Sequence, residues 1–277
     1  MSQSSQKDLK IPSIEEMITA GVHFGHQVRR KNPKMDKYIY STENKTNIID
    51  LYKTEEALQK AVGFLYEVAA RGKQVVIVGT KRQAAAIVKT LADDSGALFV
   101  NQRWLGGTFT NFESVKFNCN TLKSIESGFR NNEFTKYTKK ERLLLERKAQ
   151  KLTDLVGGIR DIEKFPGAII VVDAKREKTA IKEAKALNVP VVAFVDTNSD
   201  PKGIDFAIPA NDDAMKSIEL ILGTLTSALK EGYKNKPVKT EAPKATEKKV
   251  EAAKPVVAVE EKKKPVAEPK KVEKAKK

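Results

Sequence analysis

The chain has 277 residues, with 51 Lys+Arg against 36 Asp+Glu, a formal net charge of +15, 40% hydrophobic residues and one cysteine. That composition supports a sizeable core, and no apolar run, Val189 to Val195 included, approaches the about 20 residues of a membrane-spanning helix. The opening MSQSSQKDLKIPS lacks the apolar segment of a secretory signal and Cys119 cannot close an internal disulfide, so the sequence predicts a cytosolic protein, and its charge favours a polyanionic partner, nucleic acid before an acidic membrane surface.

Ser13 and Glu16 have the spacing of a capping box ahead of a short helix that Gly21 can close. A basic loop follows, and loose alternation from Lys37 to Asp50 predicts a small β-hairpin before a helix capped by Thr54. In that helix Leu58, Ala61, Val62, Leu65, Val68 and Ala69 recur at helical spacing, and Gly72 ends the run. Four short apolar runs come next: Gln74 to Val78, Ala97 to Val100, Ala168 to Val172 and Pro190 to Val195. Their hydrophobicity is continuous rather than alternating, which is the pattern of parallel strands buried on both faces. Arg82 to Ala92 and Glu177 to Leu187 read as crossover helices, and Phe206 to Ile208 as a last edge strand. A final helix capped by Asn211 or Asp212 carries the stripe Met215, Ile218, Leu222, Leu225 and Leu229. Strands alternating with helices predict an open α/β sheet.

Residues 101 to 166 break that alternation. They hold two narrow stripes, Phe112, Val115, Cys119, Leu122, Ile125 and Phe129, then Leu145, Ala149, Leu152 and Val156. The spacing predicts an antiparallel helical hairpin over about 112–156, inserted into the sheet domain and studded with Lys and Arg, among them Lys136, Lys139 and Lys140. The last 43 residues, 235–277, contain 14 Lys, 7 Glu and five of the 11 prolines, with no glycine or aromatic residue. They are too poor in large apolar side chains to offset ordering entropy, so the reading is a folded domain over 1–234 and a disordered tail over 235–277. The tail is either a mobile polycation that finds phosphates or a solvated appendage; +8 of the net charge remains on the domain.

An α/β sheet invites a nucleotide-binding enzyme, because ligands of this class bind at the carboxyl ends of the strands. The first apolar strand does run into Gly79-Thr80-Lys81 and a helix, but neither GxxxxGK[ST] nor GxGxxG occurs and no Ser/His/Asp or Cys/His constellation stands out. No catalytic residue is assigned. His23 and His26 form an HxxH pair that either packs and bonds to backbone or shares a metal; no HExxH and no second cysteine accompany it. Asp196, Asp200, Asp205, Asp212 and Asp213 cluster in sequence, either as turn formers and caps or as ligands of a hard cation. The weak metal candidates are therefore His23, His26, Asp196 and Asp205, with an incidental Mg²⁺ or Zn²⁺ as the ion and no cofactor otherwise expected. For RNA, VRRKNPKMDKY concentrates Arg29, Arg30, Lys31, Lys34 and Lys37 beside Tyr38 and Tyr40, groups that suit phosphates and stacking. NQRWLGGTFTNF sets Asn101, Arg103 and Trp104 before Gly106-Gly107, where Trp104 either meets a ligand or anchors the hairpin base.

Taken in order, AGVHFGHQVRRKNPKM, VGTKRQA, VNQRWLGGTFTNF, GGIRDIEKFPGAIIVVD and VPVVAFVDTNSDPKGIDFAIPANDDAMKSI resemble the bacterial family of the second small-subunit ribosomal protein, over about residues 9 to 230. The resemblance implies a flavodoxin-like (Rossmann-like) α/β domain with a coiled-coil hairpin and no catalytic activity. It further implies binding to small-subunit 16S rRNA, neighbouring small-subunit proteins, support for docking of the large mRNA-binding ribosomal protein one, no membrane contact and no homo-oligomer. Carried over motif by motif, Arg29, Arg30, Lys31, the pair Lys81 and Arg82, and Arg103 are RNA-facing or structural positions. The tail beyond about 234 is one that core family members need not have, so the resemblance does not settle its role.

Overall fold

The computed structural model describes residues 10–235. The expected tail, apart from Asn235, lies outside them. Helix α1, Ile14–Thr19, opens on both halves of the predicted capping box: Ser13 Oγ accepts from the Glu16 amide, and the Glu16 carboxylate accepts from the Ser13 amide at 2.8 Å. Strand β1, Phe24–Gln27, follows, then two 3-10 turns at Val28–Arg30 and Pro33–Tyr38, then β2, Ile39–Glu43, and β3, Thr46–Ile49. The hairpin of β2 and β3 closes through Asn44 and Lys45, both at positive φ, as a tight two-residue turn requires. β1 was not expected from the sequence; it adds to β3 to give a three-stranded antiparallel sheet, so His26 belongs to a strand and His23 to the turn before it, and neither to a helix.

Helix α2, Leu51–Ala70, starts before the predicted cap. Asp50 is the capping residue, accepting from the Tyr52 amide at 3.1 Å, while the buried Thr54 hydroxyl donates to the Pro209 carbonyl at 2.6 Å and is spent there. The main sheet consists of β4, Val75–Val78, β5, Leu98–Val100, β6, Ala168–Val171, β7, Val191–Val195, and β8, Phe206–Pro209, all parallel in the order β5-β4-β6-β7-β8. The chain goes outward from β4 to β5 and then jumps back to the other side of β4, which is the flavodoxin-like order with its switch point between β4 and β6.

Every residue of β4, β6 and β7 is buried, and successive side chains serve opposite faces. Val75, Ile77, Ile170, Val192 and Phe194 pack under α2, α3 (Arg82–Ser95) and α7 (Met215–Lys234). Val76, Val78, Ile169, Val171 and Ala193 pack on the other face against Trp104, Phe109, Met35 and α6, Lys178–Ala186. Full burial of each such Ile, Val or Phe is worth about 1.5–3 kcal/mol, so each of these short strands contributes several kcal/mol of hydrophobic stabilisation.

The insertion between β5 and β6 forms α4, Phe112–Arg130, and α5, Lys139–Val156, which pack on one another. Val115, Cys119, Leu122 and Ile125 are buried as the spacing predicts, but only Val156 of α5 is buried, and Phe117, Leu143 and Leu144 face solvent. The return from α5 explains the GGIRD motif: a Cβ on Gly158 would stand 2.2 Å from the Phe99 carbonyl oxygen, so only glycine lets this turn lie against β5. At the C-terminal helix, neither Asn211 nor Asp212 is the capping residue. Asn211 Oδ1 accepts from the amides of Asp213 and Ala214 in the turn before α7, and Asp212 is drawn into the crevice described below. Ile218, Leu222, Leu225 and Leu229 are buried, whereas Met215 is exposed.

Candidate functional site

In a parallel sheet of this order, a ligand would sit beyond the carboxyl ends of β4 and β6. Here that place is filled by the protein's own charges. Lys81, just past β4, reaches Asp212 at 2.7 Å, Asp213 at 2.5 Å and Asp173, just past β6, at 3.7 Å. Thr80 donates to the buried Glu177, and Arg176 Nε donates to Thr80 at 2.9 Å. From the small sheet, His26 places Nδ1 2.9 Å from Asp196 and Nε2 3.3 Å from Asp213. β1 is pinned over the crevice because the His26 amide donates to Thr197 Oγ1 at 2.8 Å and because residue 25 is glycine: a Cβ there would meet the Thr197 side chain at 2.5 Å.

The electrostatics follow from crowding carboxylates around few cations. Burial, then the neighbouring charges of Asp173 and Asp196, push Asp212 up to about 7. Burial opposes the Lys81 charge, but hydrogen bonds to Asp212 and Asp213 outweigh it and raise the ammonium pKa, so Lys81 stays protonated. His26 is raised, first by its hydrogen bond to Asp196, whereas burial lowers His23, whose ring lies on Phe24 with centroids 4.0 Å apart. The two histidines thus part company. Asp205, named with them as a metal candidate, is elsewhere as well: it accepts from the Val191 amide at 2.8 Å and pins β7 to the loop before β8.

The predicted RNA residues divide in the same way. Arg29, Arg30, Arg82, Arg103, Lys136, Lys139 and Lys140 are exposed and form no ion pair with another described residue. Arg29 and Arg30 line a cavity of about 350 Å³ with His26, Asp196 and Asp213. Lys31 pairs with Asp36 at 2.7 Å and Lys34 with Asp200 at 2.6 Å, while Lys37 lies over the Tyr38 ring at 4.7 Å. This basic loop is held to the end of β7 by the Asn32 amide, which donates to the Thr197 carbonyl at 2.8 Å. Lys34 and Lys37 share a hollow of about 800 Å³ with Lys53, Lys60 and Lys202, three cations that the sequence motifs did not single out although Lys53 and Lys60 recur two turns apart on α2.

Three other candidates face inward. Lys81 is consumed by the crevice, Asn101 donates to the Ala85 carbonyl at 3.3 Å, and Trp104 is buried. Trp104 takes the anchoring role: its ring meets Phe109 edge-on at 4.9 Å and its Nε1 donates to Glu183 at 3.3 Å. The same carboxylate accepts from the amides of Gly107 at 2.8 Å and Phe109 at 2.9 Å, so one buried acid on α6 fixes the WLGGTFT loop. Glu183 went unnoticed because nothing in a helical KEAK stretch announces a partner 74 to 79 residues away; its place on the buried side of α6 was the available signal.

Fold and site together define a flavodoxin-like α/β domain whose ligand crevice is closed by internal ion pairs and whose loops and inserted helices present unpaired cations. Residues 17–232 match the family described as ribosomal protein S2. The chain is 45% identical over 228 residues to the small ribosomal subunit protein uS2c of Cyanophora paradoxa, covering 82% of this chain and 98% of that one. It is 43% identical over 230 residues to uS2 of Picosynechococcus sp., covering 83% and 90%, and 47% identical over 222 residues to uS2 of Bdellovibrio bacteriovorus, covering 80% and 71%. The chain belongs to the ribosomal protein S2 family, whose members are structural components of the small ribosomal subunit and not enzymes.

Proposed function

We propose that the chain is a cytoplasmic structural protein that binds small-subunit 16S rRNA through exposed basic groups on two elements, the loop carrying Arg29 and Arg30 and the hairpin residues Lys136, Lys139 and Lys140. One observation carries this reading: these cations have no ion-pair partner among the described residues, whereas Lys81, Asn101 and Trp104 are committed inside the protein. Arg82 and Arg103, also exposed and without an ion pair among the described residues, are further candidates for the same role. Arginine forks and lysine ammonium groups neutralise phosphates and release counterions, so affinity should fall steeply with salt. The facing apolar stripes of α4 and α5 are read as the seam of an antiparallel coiled coil that carries basic groups out to RNA. Support for docking of the mRNA-binding ribosomal protein one belongs to the same reading and rests on family membership.

Filter binding of the full chain to small-subunit rRNA across a salt series tests it. R29Q/R30Q and K136Q/K139Q/K140Q should each lower affinity and flatten the log–log salt slope, by roughly 0.7–0.9 for every phosphate contact removed. Unchanged slopes in both variants would refute the assignment of these residues.

A further inference from the structure

The far end of the inserted hairpin carries aromatic rings where a connecting turn needs none. Residues 131–138 join α4 to α5, and α4, 19 residues long, sets that turn about 28 Å beyond its own start. Three rings form a row there: Phe129 on α4 meets Phe134 edge-on with centroids 5.0 Å apart, and Phe134 meets Tyr137 at 5.2 Å. The helix makes room for the row at Gly128, where a Cβ would stand 2.5 Å from the Phe134 ring. Tyr137, the last of the three, is 48% exposed, and its hydroxyl has no hydrogen-bond partner among the described residues. Capping does not account for it: an apolar side chain just before the N-cap, here Thr138, commonly packs on the fourth helical residue, and that residue is Arg142. Around the rings, residues 128–142 hold Arg130, Lys136, Lys139, Lys140 and Arg142 against Glu133 and Glu141. The five cations are exposed and form no ion pair among the described residues, whereas Glu141 accepts from the Thr138 amide at 2.9 Å and Glu133 from the Asn131 side-chain amide at 3.3 Å.

We propose that Tyr137, backed by Phe134 and Phe129, stacks on the base of an unpaired nucleotide, so that the hairpin tip takes a single-stranded loop or bulge of rRNA and not a regular duplex. The inference rests on the reading of the hairpin as RNA-binding and adds the class of RNA that its tip accepts. An exposed ring offers nothing to a phosphate, but its π-face matches the face of a base, while the surrounding Lys and Arg side chains suit the flanking phosphates. Inside an A-form helix the bases are stacked on one another and the major groove is too deep and narrow for side chains, so a ring on the end of a rod meets a base only where the strand is unpaired. The two kinds of contact differ in their response to salt. Cations act through counterion release and set the salt dependence, whereas an uncharged ring adds affinity that salt leaves nearly unchanged.

The test is filter binding of the full-length chain and its variants to small-subunit rRNA across a salt series, with a short RNA duplex without loops as the second probe. Y137A should lower affinity for the rRNA about fivefold or more at every salt concentration, the loss expected for one base–aromatic stack, with the log–log salt slope unchanged. Y137L, which keeps an apolar side chain beside Phe134 but has no ring, should lose as much, and Y137F should bind as the parent does. F117A, which removes a 70%-exposed ring on α4 that has no ring beside it among the described residues, should change nothing. On the duplex all four should match the parent. Parental rRNA affinity in Y137A or Y137L, an equal loss in F117A, or a loss on the duplex equal to that on rRNA would each overturn the inference. The phosphate contacts are judged separately by K136Q/K139Q/K140Q: a flattened slope there beside parental affinity in Y137A would remove the stack and leave those contacts standing.

Discussion

The parallel sheet and the inserted pair of helices solve opposite problems with the same residue types. In β4, β6 and β7 every side chain is buried, and two helical layers cover the faces. In α5 only Val156 is buried along the whole helix, Leu143 and Leu144 lie in solvent, and Arg142, Arg147, Lys148 and Lys151 stand exposed around them. Stability concentrates in the first region, and chargeable surface in the second. A basic protein thus keeps a tightly closed core: Lys81 is spent on acids in the crevice, and other cations, Arg142, Arg147, Lys148 and Lys151 among them, stand exposed on the surface.

The largest expected effect is in the sheet. Phe194→Ala should cost about 3–5 kcal/mol in urea unfolding, whereas Leu152→Ala on half-buried α5 should cost about 1–2 kcal/mol; equal losses would break the comparison. Next is the crevice. Lys81→Met strands buried Asp212 without its ammonium and should cost about 3 kcal/mol, and a loss under about 1 kcal/mol would mean that the ion pairs do not close the strand ends. Glu183→Ala should follow at about 2 kcal/mol by orphaning the Trp104, Gly107 and Phe109 donors, with a change in tryptophan fluorescence as the loop loosens.

The smallest effect belongs to the hairpin base, where Lys123 meets Asp161 at 2.8 Å with both side chains about half exposed. The Lys123 hydrogen bond holds the Asp161 carboxyl below its ordinary range. A depressed carboxylate contributes stability that is present above its unfolded pKa near 4 and is lost as pH falls through the folded value. Solvent screening limits the contribution to about 0.5 kcal/mol. The difference between the parent and Lys123→Gln in urea midpoint should therefore vanish on going from pH 7 to below pH 3, and a difference that persists there would show that Lys123 acts by packing.

What could be read from the chain alone follows from the range of the interactions. Continuous apolar runs such as Ala168 to Val172 report burial on both faces within a few residues, so the strands, their parallel pairing and the stripe of α4 were legible. The capping box at Ser13 is equally local. Thr54, Asn211 and Asp212 misled because each has a tertiary partner stronger than a cap: the Pro209 carbonyl, the Gly21 carbonyl and Lys81. His26 stood out as half of HxxH, but its real neighbours are Asp196, Asp212 and Asp213, brought to it only by the order in which the strands assemble. Trp104 was visible as an unusual residue; that Glu183 holds it was not.

Hydrogen exchange of the full chain, alone and bound to small-subunit rRNA, tests the division between closed sheet and partner-facing hairpin most directly. Amides of β4, β6 and β7 should exchange only through global unfolding and should not respond to RNA. Amides of the solvent-exposed half of α5 should exchange far faster in the free protein and slow when RNA is added. An α5 as protected as β6 in the free chain, or RNA protection confined to the sheet, would contradict the account.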